Sequence, residues 1–404
     1  MTLVSHISGP EVRVQTLPGQ QLPGTWRYSS RLALVLSGGG ARAAYQLGIL
    51  AGLAERLPGL EFPILAGVSA GAINIAYLAA HAGPFPAAVA GLRQAWARLT
   101  SDQVYRVRPV RLVRSAGRWM LQGAIGGGAP TTVRGLVDTQ PLREFLSRTV
   151  NLLGIDANVA AGRLRAVALS ATSYTAQRSV TFVHGGPEAT TWERAQRVAV
   201  RERLTLDHVM ASAAVPIVFP AVRLGDEFYG DGSVGQLAPL APALHLGASA
   251  IVAIGAPQAR PPSRPSPTGD YPSVAEVMGL LFRAIFFDAL EADAERLERV
   301  NRTLAALPPQ VAAPDGLRPV DLLVLRPSRD LSDLAAGHTR LLPPLMRGII
   351  RAIGGQRDAA AEFLGYLLFH PSYTTPLAEL GYEDVAANWP AIEGFFERQA
   401  RGGR

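Results

Sequence analysis

The residues with the clearest chemical content are Gly67-Val68-Ser69-Ala70-Gly71. A nucleophilic serine must stand on a sharp strand-to-helix turn, and glycines two before and two after leave room for substrate to approach its oxygen. In a glycine-rich chain this pattern arises by chance ~0.2 times, so it needs company. The first companion is Ser37-Gly38-Gly39-Gly40-Ala41-Arg42. Consecutive glycines leave backbone N–H groups free to converge on an anion, and a following helix adds its dipole. Acyl transfer requires such donors, because an oxyanion forms when serine attacks an ester carbonyl. Arg42 either adds charge there or pins the loop. The second companion is Tyr229-Gly230-Asp231-Gly232-Ser233, a glycine-flanked turn that presents a carboxylate.

Composition removes the competing chemistries. The chain has no Cys, and all of its 39 basic residues are Arg. Thiol nucleophiles, disulfides and Cys-ligated zinc are therefore excluded, as are a P-loop lysine, a Schiff base and a Ser-Lys dyad. The seven histidines carry no local signature, and only His245 follows a plausible Asp in hydrolase order. The base for Ser69 is then either His245 or Asp231. An Asp bonded directly to serine is a weak base at its ordinary pKa near ~3.9. It serves only if burial raises that value and strong oxyanion stabilisation stands beside it. The spacing Gly38-x-Gly40-x-x-Ala43 also fits a dinucleotide fingerprint. That reading requires an acid at the end of the next strand, where this chain has Gly67 and Ser69.

Positioning these groups requires strands that end at them. Arg31–Ser37 is a short apolar run of strand length, followed by a helical pattern from Ala43 to Leu57. Phe62–Ala66 is a second run, leading into a helix that continues to about Ala82. Strand–helix–strand–helix at this spacing implies a parallel sheet with right-handed crossovers. Both motifs then lie at the carboxyl edge of the sheet, where open α/β folds bind ligands. Leu164–Ser170, Ile251–Ile254 and Val320–Leu325 are further strand candidates, with Val180–Val183 beside them. Val222–Leu224 and Glu227–Tyr229 read as a hairpin turning at Gly225-Asp226.

Around this core, residues 1–30 read as an irregular arm, and residues 31–330 as the catalytic domain. A Pro-rich linker spans 257–272, and a helical C-terminal extension without a catalytic pattern spans 331–404. A long helix is expected from the capping box Ser273–Glu276 to about Leu304. Its acids Asp288, Glu291, Asp293, Glu295 and Glu298 read as a solvated face and lack calcium-loop spacing. The formal charge is +7. Segment 93–130 concentrates arginines, among them Arg106, Arg108, Arg111, Arg114 and Arg118, interleaved with Trp96, Trp119, Val and Leu. It is either a lid resting on anionic headgroups or a helical cap with a solvated Arg face. It lacks a recognised nucleic-acid reading module. No apolar run of membrane-spanning length and no secretory pattern is seen, which sets a cytoplasmic expectation with peripheral membrane contact.

Taken in chain order, Gly38–Ala43, Gly67–Gly71 and Asp231-Gly232 resemble the patatin-like phospholipases. The stretch Ala211–Pro220 is similar to the segment that precedes the catalytic Asp in that family. The resemblance covers roughly residues 31–256. Two departures stand out: Ala43 replaces a glycine, and Ser233 follows the Asp-Gly pair where Gly or Ala is usual. The resemblance implies a three-layer α/β/α fold with a mainly parallel central sheet. It further implies a Ser69–Asp231 dyad working without histidine, calcium or another cofactor, and cleavage of acyl esters of phospholipids or neutral lipids. The oxyanion would be held by Gly38, Gly39, Gly40 and Arg42, with Gly67 and Gly71 shaping the elbow and Gly232 the base turn. A lysophospholipase, a general carboxylesterase and a catalytically silent lipid-binding protein of the same fold are the alternatives.

Overall fold

The computed structural model describes residues 13–15, 28–107, 135–255, 288–308, 311, 313, 316–343, 347 and 365–402. Its sheet contains β1 (Arg13–Gln15), β2 (Leu32–Leu36), β3 (Ile64–Val68), β6 (Ala166–Ser173), β7 (Arg178–Gly185), β8 (Glu193–Arg194), β9 (Arg197–Arg201), β10 (Val222–Leu224), β11 (Glu227–Asp231), β12 (Ala250–Ile254) and β13 (Asp321–Leu325). Two further short strands, β4 (Arg106–Val107) and β5 (Val137–Asp138), form a separate ribbon. The strand order is β1-β13-β12-β2-β3-β6-β7-β9-β8, with β11 and β10 attached to β6. The run β13-β12-β2-β3-β6 is parallel throughout.

Leu32–Leu36, Ile64–Val68 and Ala250–Ile254 are buried at every position, as expected of parallel strands covered on both faces. Their side chains divide with the period of two. Leu32, Leu34 and Leu36 join the core that holds α1 (Ala44–Arg56), α2 (Ala70–Ala80), α3 (Phe85–Ala97) and the helix Pro371–Ala387. Ala33 and Val35 point the other way, into a second core with Ala243, Leu290, Ala294 and Leu297. These belong to the helices Ala241–His245 and Asp288–Ala305. Two helical layers therefore enclose one sheet, the three-layer α/β/α arrangement that the sequence implied.

Several expectations shift. The second strand runs Ile64–Val68 rather than Phe62–Ala66. Pro63 has no N–H to give a ladder, and the strand instead continues straight into Ser69. Arg13–Gln15, inside the stretch read as an irregular arm, pairs antiparallel with Leu322–Val324 and covers the edge of β13. Asp293 is not on a solvated face. It is buried and accepts the Leu240 N–H at 2.9 Å, while Glu291 pairs with Arg326 at 3.1 Å. The Pro-rich linker and the capping box Ser273–Glu276 lie outside the described residues, as do Arg108, Arg111, Arg114, Arg118 and Trp119. Among the described residues no helix is long and apolar enough to cross a membrane.

The helix Pro371–Ala387 lies along α1. A Cβ on Gly48 would fall 1.8 Å from the Ala378 carbonyl oxygen, so the two backbones nearly touch. Tyr45 Oη donates to Asp384 Oδ2 at 2.9 Å across this contact. The C-terminal helices are thus built onto the helix that follows the glycine loop.

Candidate active site

Ser69 occupies the junction between β3 and α2, with φ 56° and ψ −131°. Such a conformation costs a non-glycine residue roughly 1–3 kcal/mol and persists only where its surroundings over-determine it. The surroundings are visible. The Ser69 N–H donates to Ser212 Oγ at 3.1 Å, and Ser212 Oγ donates to the Ser170 carbonyl at 2.6 Å. A Cβ on Gly71 would meet the Leu36 and Ser37 carbonyl oxygens at 2.4 and 2.5 Å, so only glycine lets α2 begin against the end of β2. A Cβ on Gly67 would meet the Gly71 oxygen and Ile75 at 2.8 Å.

The glycine loop lies over this serine. A Cβ on Gly38 would be 3.0 Å from Ser69 Cβ and 3.5 Å from its Oγ. Gly39 and Gly40 have φ 157° and 55°, and a Cβ on Gly40 would fall 2.3 Å from the Tyr366 oxygen. The loop's carbonyls are occupied: Gln46 Nε2 donates to Ser37 O at 2.8 Å and the Arg42 N–H to Gly39 O at 3.1 Å. The Gly38, Gly39 and Gly40 amides have no partner among the described residues. Gln46 Oε1 in turn accepts from Asn74 Nδ2, and Asn74 Oδ1 from Trp96 Nε1, each at 2.9 Å. This buried chain of side chains ties the loop to α2 and α3.

Arg42 is buried under the C-terminal segment. Its guanidinium lies 5.2 Å from the Tyr366 ring centroid and near the Tyr373 hydroxyl, whose pKa burial pushes up to about 12 against the lowering effect of the Arg42 charge. That contact pins the glycine loop from beneath.

Asp231 ends β11 and is fully buried rather than presented to solvent. The Gly230-Asp231 stretch pairs with Ala171 and Thr172 of β6, directly beyond Ser170, which pairs with Val68. Its N–H donates to the Ala214 carbonyl at 2.8 Å, and its carbonyl accepts from Thr172 Oγ1 at 2.9 Å. The carboxylate accepts the Ser233 N–H on Oδ1 at 2.9 Å. Burial raises its pKa to about 6, partly offset by the hydroxyl of Ser69 and by the amide and hydroxyl of Ser233. A Cβ on Gly232 would fall 2.2 Å from the Ser170 oxygen. His245 is elsewhere, stacked on Trp192 at 4.5 Å. No described histidine bonds Ser69 or Asp231.

An apolar cleft opens at Ser69 and Gly40. It is lined by Ile73, Trp96, Leu99 and Val104, by Leu142, Phe145, Val215 and Phe219, and by the C-terminal Tyr366, Leu367 and Phe369. Ser101 Oγ and Tyr105 Oη hold that C-terminal stretch by donating to the Phe369 and Leu367 carbonyls at 3.2 and 3.0 Å. Trp96 is therefore a buried wall residue and not available for interfacial insertion; Arg93, Arg98 and Arg106 nearby are exposed. Sequence reading missed the C-terminal wall and the Gln46–Asn74–Trp96 chain. Tyr366-Leu-Leu-Phe369 offered only an unremarked apolar run. Among the described residues no group of His, Asp or Glu is arranged to hold a metal ion.

Comparison with known proteins adds one assignment. The family model described as Patatin-like phospholipase matches residues 34–244. Among solved structures the chain is similar to human GIVD cytosolic phospholipase A2 in complex with methyl gamma-linolenyl fluorophosphonate inhibitor and terbium chloride. The identity is 15%, the match covers 92% of this chain and 60% of that one, and the TM-score is 0.44. Human GIVD cytosolic phospholipase A2 without those ligands matches at 13% identity over 92% and 60%, with TM-score 0.44. VipD from Legionella pneumophila matches at 13% identity over 94% and 72%, with TM-score 0.30. The chain thus spans about three fifths of the phospholipase A2 chains it matches. No curated protein matches it.

Proposed function

The chain belongs to the patatin-like phospholipase family, and from that membership and the site geometry we propose a lipid acyl hydrolase with a Ser69–Asp231 dyad. The observation that carries the reading is the placement of a buried carboxylate, with its pKa raised to about 6, at the strained serine. An ordinary carboxylate is too weak a base; one held near neutrality is matched to the task. Asp231 takes the Ser69 proton as Oγ bonds the ester carbonyl carbon. The negative charge on the carbonyl oxygen is received by the uncommitted Gly38–Gly40 amides, helped by the N-terminal dipole of α2. Asp231 then returns the proton to the leaving alcohol oxygen as the ester C–O bond breaks. Water, giving its proton to the same carboxylate, releases the fatty acid.

The apolar cleft at Ser69 suits one fatty-acyl chain, and its walls supply the dry surroundings that strengthen the oxyanion contacts. Arg42 acts on the loop through its shape, held by Tyr366 and Tyr373. We place the catalytic unit over residues 31–330, closed by the C-terminal helices. Ile217, Leu237 and Phe228 are exposed apolar side chains, available to meet a lipid surface.

The test is a fluorophosphonate probe followed by mass mapping of the adduct. Labelling is expected at Ser69, absent in Ser69→Ala and strongly slowed in folded Asp231→Asn. An adduct elsewhere, or undiminished labelling of Asp231→Asn, overturns the dyad. Phospholipid vesicles, lysophospholipid and short-chain esters assayed side by side separate phospholipase from lysophospholipase and carboxylesterase.

A further inference from the structure

Ser233 differs from the other buried hydroxyls around Asp231. Ser212 Oγ donates to Ser170 O at 2.6 Å, and Thr172 Oγ1 donates to Asp231 O at 2.9 Å. Ser170 Oγ and Thr181 Oγ1 share a bond of 3.1 Å. Ser233 Oγ is buried, yet it has no partner with hydrogen-bond geometry among the described residues, and the same is true of Asp231 Oδ2. The bond from Ser233 N to Asp231 Oδ1, 2.9 Å, brings these two side chains together. A Cβ on Gly38 would lie 2.9 Å from Ser233 Oγ and 3.5 Å from Ser69 Oγ, so both serine hydroxyls flank one glycine of the loop. Each lies near enough to Asp231 to favour its charged form.

We propose that the Ser233 hydroxyl is a positioning residue for Asp231, a second donor that holds the carboxylate when Ser69 cannot. The inference rests on the dyad reading above. The need for it follows from the proton inventory. In the free enzyme the Ser69 O–H is available to Asp231. In the acyl-enzyme Ser69 Oγ is an ester oxygen with no proton to donate, and the buried carboxylate would keep only the Ser233 N–H. A buried charge short of donors is costly, and rotation of one hydroxyl supplies the missing bond. Ser233 keeps its proton throughout. Water gives its own proton to Asp231 as it attacks the acyl carbon, and Asp231 passes that proton to Ser69 Oγ as the acyl C–O bond breaks.

A donor to the charged form lowers the pKa of a carboxylate. Removing it leaves less of the carboxylate ionised at low pH, and because its help is greatest in the acyl-enzyme, its loss slows deacylation most. The experiment follows the rate of fluorophosphonate inactivation at Ser69 against pH for wild type, Ser233→Ala, Ser233→Gly and Ser233→Thr, each checked by thermal melt. The acid limb is expected to move up by about one pH unit in the Ala and Gly variants and to stay in place in the Thr variant. With an ester substrate, the Ala variant should lose kcat more than kcat/KM at the pH plateau and accumulate acyl-enzyme. A folded Ser233→Ala variant whose acid limb and whose balance of kcat against kcat/KM both coincide with wild type overturns the proposal, and Ser233→Gly decides if the Ala variant does not fold. Wild type that is not labelled at Ser69 at any pH overturns the dyad reading itself, a separate outcome.

Discussion

Val68 and Asp231 occupy consecutive places along one edge of β6: Val68 pairs with Ser170 and Asp231 with Ala171. The opposite edge of β6 is taken by β7 over its whole length, so β3 and β11 share the remaining edge. They approach from opposite directions and stop where they meet. Ser69 begins where β3 ends, and Asp231 closes β11. Main-chain pairing to a common strand, rather than long flexible side chains, therefore sets their separation, which is the rigid support the proposed dyad would require.

Activity should depend on pH through Asp231. Its carboxyl, pushed up to about 6 by burial, must be ionised to accept the Ser69 proton. Below that value kcat/KM should fall about tenfold per pH unit, and above it the profile should level. A water-soluble ester assayed from pH 4 to 8 reads this directly. A profile flat through pH 5 contradicts an Asp base in this setting.

The same burial makes Asp231 a stability liability. Its folded pKa of about 6 lies above the ordinary 3.8, so the folded chain binds a proton that the unfolded chain has released. The cost is absent below pH ~4, grows between the two values and is complete above about 6, reaching roughly 3 kcal/mol as an upper figure. Asp231→Asn keeps an acceptor for the Ser233 N–H and removes the charge. It should be inactive yet more stable at pH 7.5, the gain shrinking toward pH 4. Urea unfolding at the two pH values decides this; equal or lower stability of the variant at pH 7.5 rejects it.

Much of this arrangement was legible in the sequence, and the gaps have physical causes. Parallel strands buried on both faces read as continuous apolar runs, so Leu32–Leu36 and Ala250–Ile254 were found almost to the residue. The elbow and glycine loop were legible because close backbone approach leaves glycine as its mark. The burial of Asp231 was not, since a glycine-flanked turn looks the same whether it faces water or a strand. Nor was the role of Ser212, which is 143 positions from Ser69, or of Tyr366–Phe369, reached from Ser101 across more than 260. Asp293 was misjudged because its partner, the Leu240 amide, belongs to a different segment.

Ser212 should matter to both stability and rate. Its hydroxyl accepts from the Ser69 N–H and donates to Ser170 O, joining the elbow to β6. Ser212→Ala leaves a buried amide and a buried carbonyl without a partner, a cost of about 1–3 kcal/mol. The freed elbow can relax from its strained φ, so kcat should fall while KM for a soluble ester changes little. Chemical denaturation and steady-state kinetics on the same preparation test both parts. A variant with wild-type kcat shows that the strain is held by the glycines alone.

The cleft makes a last, sharper prediction about the acyl chain. Leu142 is buried and lines the cleft from the helix Gln140–Thr149, together with Trp96 and Phe369. Leu142→Trp adds bulk to space that an acyl chain would fill, at a folding cost of about 1–3 kcal/mol from overpacking. A short acyl group is expected to occupy only the region beside Ser69, which Gly40 and Ala213 also line; a long one that fills the cleft is expected to reach Leu142. The variant should therefore hydrolyse acetyl esters near the wild-type rate and lose at least about tenfold in kcat/KM on palmitoyl esters, since each methylene denied its contacts forfeits ~0.8 kcal/mol. The ratio of the two rates cancels any shared loss from destabilisation. A ratio unchanged from wild type places the acyl chain outside the cleft.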